Sequence, residues 1–224
     1  MNILFLGTGA ADYNCEKDIG TPGYRRNSSI LIDNTLLIDP GPCVMEAIEH
    51  FGVDADNIKY IIVTHTHEDH YNEETVKWLA DRGAKLVDIP CEGETVLGNY
   101  HITAYAGNHA IPVKHYIVEC DGSRLFYGLD SAWLMYSEVQ AIKEKGIDFA
   151  VLDGTIGFVD GDHRIFEHCN MNMIIEIQKS LKDSVGKFYI SHMAKTLHTD
   201  HDTLSDAMGK YGIGVAYDGL SVTL

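Results

Sequence analysis

His65-Thr66-His67-Glu68-Asp69-His70 brings three imidazoles and two carboxylates into six residues, directly after the apolar run Tyr60-Ile61-Ile62-Val63-Thr64. That run reads as a buried strand that ends where the cluster begins. Neutral imidazole nitrogens and carboxylate oxygens are ligands for zinc, with iron and manganese as competitors. A tight loop at a strand's end lets several such side chains converge on one point. The bland alternative is a polar surface loop that happens to be histidine-rich. It accounts neither for the flanking strand nor for so much of a scarce residue in one place. The stretch predicts a metal site.

Four further stretches enter the reading through a family resemblance. They are Ile38-Asp39-Pro40-Gly41, Gly107-Asn108-His109-Ala110, Tyr127-Gly128-Leu129-Asp130 and Phe188-Tyr189-Ile190-Ser191-His192. With the histidine cluster they form an ordered set that resembles the metallo-β-lactamase superfamily across nearly the whole chain. The resemblance implies an α/β fold, the metallo-β-lactamase-like four-layer αββα sandwich. It also implies a dinuclear centre. One metal would take His65, His67 and His109, the second Asp69, His70 and His192, with Asp130 bridging both. Two cations about 3.5–4 Å apart can clamp a shared hydroxide and stabilise attacking and leaving oxygens. The expected cofactors are two divalent metal ions, zinc first, with manganese or iron as alternatives. Asp69 counts as catalytic as well as metal-binding. Asp39 has two compatible readings: a turn aspartate that caps its own backbone, or an acceptor beneath the metal loop that orients a ligand imidazole. Glu68 sits at a variable position of the family pattern and reads as a solvated charge.

The substrate class turns on His168, in Phe166-Glu167-His168-Cys169-Asn170-Met171. It precedes a predicted helix whose N-cap is Asn170. It resembles the extra histidine that cyclic phosphodiesterases and tRNA 3′-end endonucleases of the superfamily carry before the last metal histidine. Such a residue can protonate a leaving alkoxide or stabilise a phosphorane-like transition state. Arg25-Arg26-Asn27-Ser28-Ser29 and the segment from Ser191 to Leu220 further resemble the phosphoribosyl cyclic phosphodiesterase branch. The better-known member of that branch has a cysteine-rich structural zinc site near its N-terminus, where this chain offers only Cys15, so neither a structural metal nor that member's specific substrate is expected here. The leading expectation is a phosphodiesterase for a small or cyclic nucleotide-like phosphoester, acting through a metal-bridging hydroxide. The alternatives are a carboxylic ester or lactone hydrolase, a tRNA 3′-end endonuclease, and a catalytically silent metal-binding domain.

Composition narrows the partners. The 224 residues carry a net charge of −16, which argues against long nucleic acid, since such binding needs a basic stripe. Membrane-surface attraction is disfavoured for the same reason. A small anionic ester remains compatible, because metal charge can dominate a site. Apolar runs are strand-length, and Met1-Asn2-Ile3-Leu4-Phe5-Leu6-Gly7 reads as a first strand, not an export signal. One domain, residues 1–224, in the cytoplasm is expected, and a homodimer is compatible. Cys15, Cys43, Cys91, Cys120 and Cys169 are scattered without a C-x-x-C pair, which fits reduced thiols. Cys169 reads as packing. His198 and His201 read as a solvated helix start, and His50, His101, His115 and His163 lack a supporting constellation.

Periodicity predicts strands at 2–6, 28–32, 35–38, 59–64, 85–89, 100–105, 115–119, 123–127, 148–152, 187–191, 213–217 and 220–223. Helices are predicted within 43–51 and at 73–82, 136–145, 171–182 and 202–210. Asp33-Asn34 and Asp121-Gly122 are the hairpin turns.

Overall fold

In the computed structural model, which describes residues 1–224, the chain begins with β1 (Asn2–Gly7), β2 (Ser29–Ile32), β3 (Leu36–Ile38), α1 (Val44–His50) and β4 (Tyr60–Ile62). Next come α2 (Glu73–Ala80), β5 (Lys85–Leu86), β6 (Glu94–Leu97), β7 (Tyr100–Ala106), β8 (Lys114–Cys120) and β9 (Ser123–Gly128). It ends with α3 (Tyr136–Lys145), β10 (Ile147–Asp153), α4 (Met171–Leu181), β11 (Val185–Ser191), α5 (His201–Gly209), β12 (Ile213–Val215) and β13 (Ser221–Thr223). These elements form two compact units, residues 1–89 with 217–224, and residues 90–216.

The first unit holds a six-stranded sheet in the order β13-β1-β2-β3-β4-β5. The hairpin between β2 and β3 turns on Asp33 and Asn34, both left-handed (φ 48° and 57°), the conformation a tight two-residue turn requires. β3, β4 and β5 then run parallel. Leu6, Leu31, Leu37 and Ile61 point from the sheet into a core completed by Val44 and Ile48 of α1 and Leu79 of α2. Asn72 caps α2 by accepting the Thr75 amide.

The second unit holds a seven-stranded sheet in the order β12-β11-β10-β9-β8-β7-β6. β9 to β12 are mutually parallel, while β6, β7 and β8 are added antiparallel. The β8–β9 turn uses Asp121 and Gly122 (φ 50° and 81°). Phe126, Ala150, Leu152, Phe188 and Ile190 pack against Ile174 of α4 and against Leu204 and Met208 of α5. The chain direction places the ends of β7, β9, β10 and β11 at one edge of this sheet, the edge where parallel α/β sheets carry their chemistry.

Two expectations are corrected here. β6 is an added edge strand whose residues are mostly solvent-facing, with only Leu97 buried, so no apolar run announced it. Cys15 and Cys43 are joined in a disulfide with Cα atoms 5.4 Å apart. The five cysteines are therefore not all reduced thiols, and the sequence hid the pair because its members stand 28 positions apart. Cys91, Cys120 and Cys169 are free. No helix is long and apolar enough to cross a membrane.

The polar loop of residues 11–27 is fastened to α1 by charge. Arg26 donates to both carboxylate oxygens of Glu46, Nε at 2.5 Å and Nη2 at 2.8 Å. Its backbone amide donates to Asp218, which also accepts from Thr8. The Arg26 hydrogen bond holds the Glu46 carboxyl below its ordinary value of 4.5. A depressed carboxyl contributes stability that is complete above its unfolded pKa and is lost as pH falls. Glu46→Gln is therefore expected to lower unfolding free energy by about 1 kcal/mol at neutral pH, since the pair is partly exposed. Urea denaturation should show that difference shrinking below the ordinary carboxyl value of 4.5. A difference that persists in acid would contradict the assignment.

Candidate metal centre

In the first unit β3 and β4 are parallel neighbours, so the segments following each emerge side by side. Asp39 follows β3 with a left-handed backbone (φ 63°) and no solvent exposure. Its Oδ1 accepts the Thr64 amide at 2.8 Å, and the Thr64 hydroxyl donates to the same carboxylate. Its Oδ2 accepts from His70 Nδ1 at 2.8 Å. Asp39 thus fixes the strand end that launches the metal loop and the tautomer of one imidazole in it. A His70 ring protonated at Nδ1 presents a lone pair at Nε2, which lies 3.3 Å from Asp69 Oδ2.

Thr64 repeats the device. Its hydroxyl donates to Asp39 and lies 3.0 Å from His65 Nδ1, so that nitrogen is the donor and Nε2 carries the lone pair. His65 Nε2 faces His67 Nδ1 at 2.9 Å. His65, Asp69 and His70 are buried and His67 half-buried, while Glu68 is exposed. Buried imidazoles whose outer nitrogens are fixed as donors and whose inner nitrogens converge suit a divalent cation.

The second unit carries a matching set at its sheet edge. His109 follows β7, and its Nδ1 donates to the Glu167 carbonyl at 3.1 Å. Its Nε2 lies 3.8 Å from Asp130 Oδ1. Asp130 and His192, at the ends of β9 and β11, both adopt left-handed backbones (φ 54° and 63°). His192 Nε2 is 3.3 Å from Asp130 Oδ2, and its Nδ1 is held at 2.7 Å by the Thr155 hydroxyl. Asp130, Asp153, His168 and His192 each offer a ligand atom within 4.8 Å of the others.

Asp153, the last residue of β10, and Thr155, just beyond it, are members of this cluster that motif reading missed. The Asp153 carboxylate accepts the Thr155 and Ser131 amides and His168 Nδ1, the last at 2.8 Å. With both oxygens engaged it acts as an anchor for His168. Burial acts to lower the His168 pKa, but Asp153, then Asp130 and Glu167, outweigh it and push it up to about 9. The same ion pair holds the Asp153 carboxyl low against its burial. The His168 ring stacks on His192 with centroids 5.7 Å apart.

His198 also differs from expectation. It is not a solvated helix start: it is half-buried, and its Nε2 donates to the Gly154 carbonyl at 2.6 Å, fastening the Asp153-Gly154-Thr155 turn. His201 does open α5, capped by Asp200. The Cys169 thiol is buried, donates to the Ala132 carbonyl, and is pushed well above its ordinary pKa by burial, so it packs. His115 is fully buried against Glu138.

A cavity of about 740 Å³ lies beside the metal loop in the first unit, lined in part by Tyr13, Asn14, Glu16, His67, Glu68 and Asp69. Gly41 brings the Asp-Pro-Gly-Pro turn against this loop: an added Cβ would meet the Asp69 carbonyl oxygen at 2.2 Å. Gly41→Ala must therefore displace the loop. It is expected to lower stability by about 1–3 kcal/mol, as overpacking does, and to weaken zinc binding measured by calorimetric titration. A variant unchanged in both would contradict the close approach.

The pattern of the family described as anti-Pycsar protein Apyc1 matches residues 1–76. No curated protein sequence matches the chain. Solved structures match throughout its length. The metallo-β-lactamase fold protein YhfI from Bacillus subtilis is 15% identical, covers 99% of this chain and 98% of its own, and superposes with a TM-score of 0.79. Zinc-bound PqqB from Methylobacterium extorquens is 18% identical, covers 100% of both chains, and gives 0.76. A diphosphatase of the PhnP family is 18% identical, covers 100% of this chain and 97% of its own, and gives 0.74. From end to end, the chain has the α/β fold of the metallo-β-lactamase superfamily.

Proposed function

We propose that this chain is a metal-dependent hydrolase, and that it acts as a phosphodiesterase on a small or cyclic nucleotide-like phosphoester. The ligands would be His65, His67, Asp69, His70, His109, Asp130 and His192, holding two divalent ions, zinc before manganese or iron. The observation that carries the phosphodiesterase reading is the Asp153–His168 pair. The Asp153 carboxylate, in contact with the His168 ring at 2.8 Å, raises the ring's pKa against burial and so favours the imidazolium form. Its Nδ1 is engaged by Asp153, so the proton available for transfer is the one on Nε2. Leaving alkoxides of phosphodiesters need such a proton, and a positioned imidazolium can deliver it.

The other residues orient and hold. Asp39 fixes the tautomer of His70, so that ring presents its Nε2 lone pair, and the Thr155 hydroxyl holds the His192 ring by its Nδ1. What divalent ions supply, when bound, is positive charge that acidifies water to near neutrality and offsets charge building on phosphoryl oxygens. That charge also suits the cavity walls, where Glu16, Glu68 and Glu74 would otherwise repel an anionic ester. Zinc in PqqB and the diphosphatase of the PhnP family, each sharing this fold, support the metal and phosphoester readings. A net charge of −16 weighs against tRNA as the substrate.

The test is hydrolysis of bis(p-nitrophenyl) phosphate by protein reconstituted separately with zinc and manganese, beside a chelated control. Metal-dependent turnover is expected. No turnover with metal bound would shift the assignment to carboxylic esters or lactones, or to a silent binding domain. His168→Ala should lower the turnover rate by about 10²–10⁴-fold, the usual range for a lost general acid, with metal content intact. Full activity in that variant would sink the role given to His168. Asp69→Ala should lose metal and turnover together.

A further inference from the structure

His115 stands in β8, outside every motif, and is completely buried. Its Nδ1 faces Glu138 Oε1 at 2.5 Å, and its Nε2 lies 2.9 Å from the Leu129 carbonyl oxygen. An ionised carboxylate and a carbonyl can only accept, so the ring donates from both nitrogens. Burial opposes a charged ring here, but the Glu138 carboxylate outweighs it and raises the His115 pKa.

The ring is wedged between two glycines. A Cβ on Gly107 would stand 2.5 Å from His115 Nε2, and one on Gly128 would stand 3.2 Å from Nδ1. Gly107 lies two residues before His109, and Gly128 two before Asp130. The Leu129 carbonyl belongs to the peptide that joins Leu129 to Asp130. Fixing its direction fixes the approach to the left-handed backbone at Asp130 (φ 54°). Glu138 is itself anchored, since its Oε2 accepts the Met135 amide at the start of α3.

We propose that His115 is the positioning residue of the candidate metal centre. By donating to the Leu129 carbonyl from a ring seated between Gly107 and Gly128, it sets the turn that presents Asp130 and the seat of the His109 turn. A short relay of hydrogen bonds then runs from the first turn of α3 through Glu138 and His115 to the residue before Asp130. The inference rests on the metal reading given above and adds to it a residue that touches neither substrate nor metal.

Two amides separate positioning from mere packing. The side-chain amide nitrogen of His115→Gln falls near the place of Nε2 and keeps the donation to Leu129. That of His115→Asn falls near Nδ1, keeps the Glu138 contact and leaves the Leu129 carbonyl without its donor. The full-length proteins would be titrated with cobalt(II), read by its visible absorbance, and the metal-free forms unfolded in urea. Removing an outer support of a metal ligand typically weakens binding by about 10–100-fold, which is the loss expected for His115→Asn. His115→Gln should stay within about threefold of the parent, since the supporting bond is kept. Equal cobalt affinity in both variants, whether retained or lost, would overturn the proposal. So would unfolding of both, which would mark the ring as a core residue only. A parent protein that binds no cobalt would instead fail the metal reading itself, a result recognisable before any variant is compared.

Discussion

The Asp39 carboxylate accepts from the Thr64 amide, the Thr64 hydroxyl and His70 Nδ1 while wholly out of solvent. Taking an anion out of water is costly unless its lone pairs are filled, and here they are filled by the metal loop itself. The second unit uses the same device with different residues, as Asp153 takes two backbone amides and His168. In both places a buried carboxylate at a strand end fixes the strand's continuation and an imidazole together. Folding the sheet and presenting the histidine become one event. The rest of each half-site follows from it: Thr64 passes the constraint to His65, and Thr155 passes it to His192.

These turns are held against their local preference. Asp39, Asp130 and His192 all have positive φ without being glycine. Such residues cost of order 1–3 kcal/mol each and persist only when their surroundings over-determine them. The surroundings here are the hydrogen bonds just described, with His198 pinning the Gly154 carbonyl and His115 the Leu129 carbonyl. Glycine would relieve the backbone at each position, but it would remove the carboxylate or imidazole that the turn exists to aim. The backbone cost at these strand ends is offset by the bonds that hold the carboxylates and the imidazole in place.

Local chemistry was legible in the sequence and long-range chemistry was not. The histidine loop showed itself because its residues are adjacent and the preceding strand is a pure apolar run. The Asp33-Asn34 and Asp121-Gly122 turns were legible because tight hairpins need left-handed residues. The helix expected at 136–145 is α3, with the same bounds. Asp153, Thr155 and His115 had no such signal: an isolated aspartate at the end of a strand, or a histidine in a strand, gains meaning only from partners 15, 37 and 23 residues away. The same holds for the disulfide, whose partners are brought together by the fold of a polar loop. His168 was found only through resemblance, and the structure adds what resemblance did not supply, the carboxylate that sets its proton.

The central claim is that these imidazoles and carboxylates are arranged for cations. The most direct measurement is the metal content of the full-length protein, loaded with zinc, dialysed, and analysed by elemental mass spectrometry against protein concentration. The account predicts two zinc ions per chain. A folded protein that retains none would contradict it.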